Sequence, residues 1–316
     1  ERRFESGIAV TQSLQAISRA CPCCGAAAAP PPVYASEPRA ENSLEGLSES
    51  NWAGFFRSKV FFSYARCASC GLLYCPTYFD ERSLARLYGW MSDNTAGVPV
   101  EALRRTQAGY FEFVKDRACA GDYLEIGPDI GLFTSLAARH DPAKRFFLFE
   151  PNEAVWPSLR TACEGVRELS LYDTMSDLDG VPDESLGLAV MIHVLDHLPS
   201  PTAYLAALCR KLRPGGTLLL VTHNERSLLA RTFGGRYPIF CLQHPQLFNP
   251  RTIGATIEAA GLIPLKVART RNHFPVGYLL SHLLYQLGIK TDSRLGPPWI
   301  VGLPLGNIAT LAIRPS

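Results

Sequence analysis

The 316-residue chain has no excess of charge of either sign: 31 Lys+Arg stand against 29 Asp+Glu, a formal net charge of +2. A dedicated duplex binder concentrates Lys and Arg on one face, so no nucleic-acid partner is expected. Long apolar runs are also missing. The longest uncharged stretches, Asn272 to Ile289 and Leu295 to Ile313, are interrupted by Pro275, Gly277, Pro297, Pro298 and Pro304. Neither supplies the roughly 20 apolar residues of a membrane-spanning helix, so no membrane span is expected. The opening ERRFESGIAV holds no apolar segment followed by a small-residue cleavage site. A cytoplasmic location is therefore the expectation.

Cysteine is plentiful but unevenly placed. Six of ten (Cys21, Cys23, Cys24, Cys67, Cys70, Cys75) fall in the first quarter, while Cys119, Cys163, Cys209 and Cys241 are scattered singly. Single cysteines in apolar contexts behave as small buried hydrophobes. Cys21-Pro-Cys-Cys24-Gly and Cys67-Ala-Ser-Cys70-Gly are different, because each reads as a CxxCG knuckle. A tight turn offers two thiolates, the glycine accepts the left-handed backbone, and two such turns complete a closed tetrahedral zinc site. Cys21, Cys24, Cys67 and Cys70 are thus expected to hold structural Zn2+. Unliganded or redox-active thiols are the alternative, and Cys23 could replace either member of the first pair. The AAAAPPP run between the knuckles reads as a loop, and Val60 to Tyr64 as a strand entering the second. Cys23 and Cys75 have no assignment from sequence.

From about Leu103 onward, helical and strand patterns alternate as in a doubly wound α/β fold. A helix is expected over Arg104 to Ala118, a strand over Tyr123 to Ile126, and a helix from Leu132 to Arg139. Strands follow at Arg145 to Phe149 and Leu186 to Ile192, then a helix over Pro201 to Leu212, a turn at Pro214-Gly-Gly216, and a strand over Thr217 to Thr222. Ligands of such sheets sit beyond the carboxyl ends of the strands. Gly127 to Gly131, Glu150, the region of Asp173, and Met191 to His197 should line one crevice. The glycines allow close approach of a ligand, and a carboxylate ending the second strand can accept bonds from both hydroxyls of a ribose. The dinucleotide fingerprint GxGxxG is absent, since the loop reads Gly-Pro-Asp-Ile-Gly.

The strings YLEIGPDIGLFTSLAA, LFEPN, DESLGLAVMIHVLDHLPSP and LRPGGTLLLVTHN resemble, in order, the successive motifs of class I S-adenosylmethionine-dependent methyltransferases. RCASCGLLYCPTYFDERSLARLYG is similar to the segment preceding many bacterial methyltransferases of polysaccharide, deoxysugar and natural-product pathways. The resemblance implies a Rossmann-like, seven-stranded doubly wound sheet over residues 86–316, preceded by a small zinc-ribbon-like module over residues 1–85. It implies S-adenosylmethionine as cofactor, with Glu125, Gly127, Gly131, Glu150, Asp173 and Met191 as its contacts. Two departures stand out: Asp129 replaces a usual glycine, and Gly187 stands where an aspartate is common.

Methyl transfer from a sulfonium is an in-line displacement that needs orientation and a base for the acceptor's proton. His193 and His197, in the loop after the fourth strand, are the first base candidates; packing of that loop is the plainer role for His197. His193, Asp196 and His197 also have the spacing of an ExxEH metal motif known in other methyltransferases, with His and Asp replacing the two Glu. The segment over residues 224–251 resembles the family's acceptor cover, and offers Arg236, Tyr237, Gln243 and His244, the third base candidate. A surface cap with His244 packed against its own aromatics is the alternative. An insertion over residues 276–290 places Val276, Leu279, Leu280, Leu283, Leu284 and Leu287 on one helical face. Core packing or contact with a second copy, as a homodimer, accounts for such a face.

The expected activity is methyl transfer to a small molecule: a sugar, nucleotide-sugar or natural-product intermediate. The rival readings are an enzyme whose zinc module recruits RNA or protein, and a non-catalytic scaffold that only binds the cofactor.

Overall fold

The computed structural model describes residues 14–27, 30–52, 60–88, 98–117, 120–142, 144–175, 177–286, 289 and 299–316. Cys119 and Leu287, both named above, lie outside these residues, as does Ala118 at the end of the expected first helix.

Five short strands belong to the cysteine-rich part: β1 (Ala16–Ser18), β2 (Pro32–Tyr34), β3 (Tyr64–Arg66), β4 (Leu73–Tyr74) and β5 (Thr77–Phe79). The expected strand over Val60 to Tyr64 begins only at Tyr64. Helix α1 (Glu49–Trp52) and helix α2 (Glu81–Tyr88) flank them. Next come α3 (Val100–Val114), β6 (Asp122–Ile126), α4 (Leu132–His140), β7 (Arg145–Phe149), α5 (Trp156–Ala162) and β8 (Glu168–Tyr172). The chain continues through β9 (Leu186–Ile192), α6 (Pro201–Lys211), β10 (Leu212–His223), α7 (Leu228–Phe233), β11 (Gln246–Leu247) and α8 (Pro250–Ala259). It ends with β12 (Ile263–Arg269), β13 (Asn272–Pro275), α9 (Val276–Gln286), β14 (Ile300–Leu303) and β15 (Asn307–Ile313).

The central sheet has seven strands in the order β12-β15-β10-β9-β6-β7-β8. Strands β10, β9, β6, β7 and β8 are parallel neighbours, and β15 pairs antiparallel with both β10 and β12. Every residue of β6 is buried, as expected of a strand covered by helices on both faces. Two apolar layers fill those faces: Leu124, Phe147, Ala189 and Leu220 on one, with Tyr123, Phe146, Val190 and Leu219 on the other. The chain moves outward from β6 to β8, then returns to β9 on the other side of β6 before moving to β10. The order therefore reverses between β6 and β9, and the crevice lies beyond their carboxyl ends, at Ile126 and Ile192.

The turn expected at Pro214-Gly-Gly216 is instead the entrance of β10. The ladder with β9 breaks register between Leu212 and Thr217, so the Pro-Gly-Gly run is accommodated as an irregularity within the strand.

The cysteine-rich part packs against the rest of the chain. Strand β11, from the segment over residues 224–251, adds to β4 in a second sheet, ordered β11-β4-β3-β2. The aromatic core beneath it joins Trp52, Phe62, Tyr64 and Phe79 to Ile239, Phe240 and Leu242. The boundary drawn near residue 85 therefore separates sequence patterns, while packing and hydrogen bonds cross it. On α9, Leu280 and Leu283 are 37% and 48% exposed, whereas Ser281 is buried, so two of the five described residues of the expected apolar face are uncovered. No helix among the described residues is long and apolar enough to cross a membrane.

Candidate functional site

The loop from Gly127 to Gly131 leaves β6 and enters α4 directly. Gly127, Asp129 and Gly131 all have left-handed backbones, with φ of 65°, 52° and 77°. Glycine takes this conformation without strain, and Asp is among the few other residues that tolerate it, which is how Asp129 fits a position usual for glycine. A Cβ on Gly131 would lie 2.9 Å from Cβ of Ala162 and 3.0 Å from Cδ2 of Leu159. Its glycine is thus demanded by packing against α5 as much as by any ligand. Gly131→Ala should cost about 2–4 kcal/mol, from left-handed strain plus overpacking. A denaturant titration with a lowered midpoint and unchanged slope would show it; an unaltered midpoint would contradict the packing argument.

Glu150 ends β7 beside this loop. Its carboxylate accepts from the Asp129 backbone N–H at 3.0 Å and from the Asn152 N–H at 2.9 Å. Burial pushes its pKa up, and these two donors oppose the shift. The indole N–H of Trp156 donates to the Glu150 carbonyl at 2.9 Å, anchoring the turn. Asp173 is exposed just past β8. Tyr172, immediately before it, stacks on Phe149 with ring centroids 4.4 Å apart.

Two other expected contacts face inward. Met191 is fully buried in the core layer. Glu125 is also buried and accepts from the hydroxyls of Tyr123 at 2.6 Å and Thr134 at 2.5 Å. Burial raises its pKa to about 7 against the lowering effect of those hydroxyls. A carboxyl whose folded pKa exceeds its unfolded value contributes stability that is full below about pH 4.5 and lost as pH rises through 7. The stability difference between wild type and Glu125→Gln should therefore fall by up to about 3 kcal/mol from pH 4.5 to 8. Unfolding curves at the two pH values measure this, and a pH-independent difference would contradict it.

Beyond the ends of β9 and β10, four histidines converge. The rings of His193 and His223 are 4.7 Å apart, His223 and His244 4.8 Å, and His197 and His244 4.6 Å. Fully buried Asp196 lies among them. Its Oδ2 accepts from the His223 backbone N–H at 2.9 Å and from His223 Nδ1–H at 2.7 Å. This fixes the tautomer of His223 and leaves its Nε2 lone pair free. Burial and neighbouring imidazoles lower the pKa of His193 to about 3 and take His197 well below its ordinary value. Burial also lowers His223, against the raising effect of Asp196. Those three rings are neutral near pH 7, the state a base requires.

His244 behaves differently. Its Nδ1–H donates to the Ile239 carbonyl at 2.7 Å and lies 3.4 Å from Sγ of Cys241. Burial lowers its pKa, but Cys241 outweighs that and the result is about 9. It is therefore a cation near pH 7, suited to donating a hydrogen bond rather than to taking a proton. The sequence reading named His193, His197 and His244 but missed His223, which stands near the end of the string LRPGGTLLLVTHN and acquires its partners only through the fold. The metal-motif grouping changes too: His223, not His197, joins His193 and Asp196 with ligand atoms within 4.8 Å.

In the cysteine-rich part, Sγ atoms of Cys21 and Cys70 are 3.5 Å apart, as are those of Cys24 and Cys67, and all four lie within 4.8 Å of one another. Zn–S bonds of about 2.3 Å imply tetrahedral edges of about 3.8 Å, so this arrangement fits a four-thiolate zinc centre. Burial raises Cys67, yet the backbone N–H groups of Cys70 and Ser69, with the thiols of Cys24 and Cys21, bring it down to about 6. Cys23 and Cys75 are buried packing residues, 7% and 1% exposed.

The cysteine cluster is tied to the histidines. Tyr64 Oη donates to the His244 carbonyl at 2.6 Å, Tyr78 Oη to the Leu242 carbonyl at 2.7 Å, and Thr202 Oγ1 to the Pro22 carbonyl at 2.8 Å. Gln243 donates to the Trp52 carbonyl at 2.7 Å. Tyr237 donates to the Leu305 carbonyl at 2.5 Å. Arg66 makes a bidentate pair with buried Glu225, at 3.0 and 3.1 Å. Beside this pair, Tyr34, Arg66, Glu225, Arg226 and Arg231 line a cavity of about 320 Å³.

A family model described as a methyltransferase domain matches residues 102–267. No curated protein matches the chain. Among solved structures, the YcgJ protein of Bacillus subtilis is 14% identical with a TM-score of 0.48, over 66% of this chain and 99% of its own. The N-methyltransferase NodS of Bradyrhizobium japonicum, in complex with S-adenosyl-L-homocysteine, is 15% identical with a TM-score of 0.46, over 70% and 91%. The 1,6-didemethyltoxoflavin-N1-methyltransferase of Burkholderia thailandensis is 14% identical with a TM-score of 0.44, over 68% and 79%. With more than half of its length matched by that family model, the chain belongs to the methyltransferase-domain family.

Proposed function

We propose that this chain transfers a methyl group from S-adenosylmethionine to a small-molecule acceptor, and that its four-cysteine cluster holds structural zinc. The observation that carries the first part is the Glu150 carboxylate, fixed by two backbone N–H groups next to a left-handed glycine loop at the sheet's switch point. A carboxylate so placed retains lone pairs for the two hydroxyls of a ribose. The sulfonium's methyl would then lie toward the ends of β9 and β10, beside the neutral imidazoles of His193, His197 and His223, whose ring nitrogens can hydrogen-bond and orient an acceptor.

Several features favour a small, hydroxylated or anionic acceptor. The segment over residues 224–251 is stitched to the cysteine-rich part, which gives the crevice a fixed cover. The cavity lined by Tyr34, Arg66, Glu225, Arg226 and Arg231 offers both donors and a carboxylate, a mixed lining suited to a hydroxylated molecule. A sugar, nucleotide-sugar or natural-product intermediate has this chemistry. The chain's near-zero net charge gives no comparable footing for RNA.

Incubation with methyl-labelled S-adenosylmethionine and a panel of nucleotide sugars and hydroxylated acids tests the proposal. Label in a small-molecule product is the expected outcome. Label transferred only to added RNA or protein would overturn the small-acceptor reading.

A further inference from the structure

We propose that His193, Asp196 and His223 form a divalent-metal site at the mouth of the crevice, separate from the four-cysteine cluster. The donor atoms lie within 4.8 Å of one another. Two features mark the set as built to receive something. Oδ1 of fully buried Asp196 and Nδ1 of His193 are buried without hydrogen-bond partners among the described residues. Orphaned buried polar atoms cost free energy that a bound ion would recover. The other ring nitrogen of His193, Nε2, lies 3.2 Å from Nδ2 of Asn307; a half-turn of that side-chain amide lets its Oδ1 accept from Nε2–H and leaves the Nδ1 lone pair for a metal. His193 also has a left-handed backbone, φ 55°, an unusual conformation for a non-glycine residue, here at the end of β9.

Two imidazoles and one carboxylate make a donor set suited to Zn2+, Fe2+, Mn2+ or Co2+ rather than to the all-oxygen preference of Mg2+ or Ca2+. Three protein ligands leave positions open, unlike the closed thiolate cluster. Ligation through His223 Nδ1 would move its proton from Nδ1, where Asp196 Oδ2 now accepts it, to Nε2, so the imidazole stays neutral and the freed Asp196 oxygen turns to the metal. The open positions would take oxygen donors of the acceptor, which points to acceptors with adjacent oxygens, such as a vicinal diol or a hydroxy ketone. That role rests on the methyl-transfer reading; metal binding itself does not.

The test is titration of Co2+ into the full chain with its thiolate cluster filled by Zn2+, with the histidines 15N-labelled. One equivalent of Co2+ should bind, with visible absorption typical of nitrogen and oxygen ligands and without a thiolate charge-transfer band. The His193 and His223 resonances should shift or broaden while those of exposed His140 and His282 stay in place. His193→Ala, His223→Ala and Asp196→Asn should each weaken binding by roughly 100-fold. No uptake at millimolar Co2+, uptake unaltered in these variants, or perturbation confined to His140 and His282 would overturn the site. A separate titration with S-adenosylmethionine keeps the two claims apart. Co2+ binding without cofactor binding would sink the methyl-transfer reading alone, and the reverse would sink the metal site alone.

Discussion

Removing metal from the four-cysteine cluster should unfold the cysteine-rich part and disorder the histidine cover with it. The expected magnitude is large, because two-residue and three-residue strands such as β4 and β3 have little stability of their own. Structural zinc contributes directly to folding free energy, on the order of 10 kcal/mol or more in small domains. Cys21 and Cys67 also belong to the same apolar cluster as Leu195, Leu205 and Phe248 of the methyltransferase domain, so the loss would propagate inward. Tyr64 and Tyr78, which hold the carbonyls of His244 and Leu242, are fully buried in this part and would lose their positions. A strong chelator, or Cys67→Ser, should therefore produce an earlier melting step in thermal unfolding and a loss of near-ultraviolet ellipticity from Trp52 and the tyrosines. Metal analysis should give one equivalent of zinc at this cluster. A chelated protein that melts like the untreated one would contradict a structural role.

The second large effect is expected at Glu150. Two charge-assisted hydrogen bonds to ribose hydroxyls, at about 1.5–3 kcal/mol each, make Glu150→Ala roughly 100-fold weaker for S-adenosylmethionine, even after partial compensation by water. The alanine variant also frees the Asp129 and Asn152 N–H groups that the carboxylate holds. Glu150→Gln separates the two contributions, since its amide oxygen keeps one acceptor while the charge is lost. A smaller loss of affinity is expected from it. Wild-type affinity in Glu150→Ala would remove this residue from the binding site.

Much of the sheet could be read from sequence because its strands are continuous apolar runs bounded by turn residues. Arg145–Phe149 and Leu186–Ile192 coincide with the runs that predict them. The knuckles were legible for a different reason: thiolate spacing is local chemistry, and Cys21, Cys24, Cys67 and Cys70 converge as that spacing requires. Long-range pairing left no such trace. Strand β11 is two residues long, too short for a period, and its partner β4 lies in a distant part of the chain. His223 looked like the end of a strand, and only its bond to Asp196 reveals its place in the cluster. Gln243 and Tyr237 each donate to a backbone carbonyl far along the chain, contacts that no local sequence pattern announces. On α9 the helical period held, but periodicity carries no information about what covers Leu280 and Leu283.

The central claim, that this domain binds and uses S-adenosylmethionine, is tested most directly by calorimetric titration of the wild-type chain with S-adenosylmethionine. The account predicts a single site of micromolar affinity from which S-adenosylhomocysteine displaces the ligand. Absence of measurable binding at millimolar concentrations of S-adenosylmethionine, in a protein whose zinc is bound and whose melting is cooperative, would contradict it.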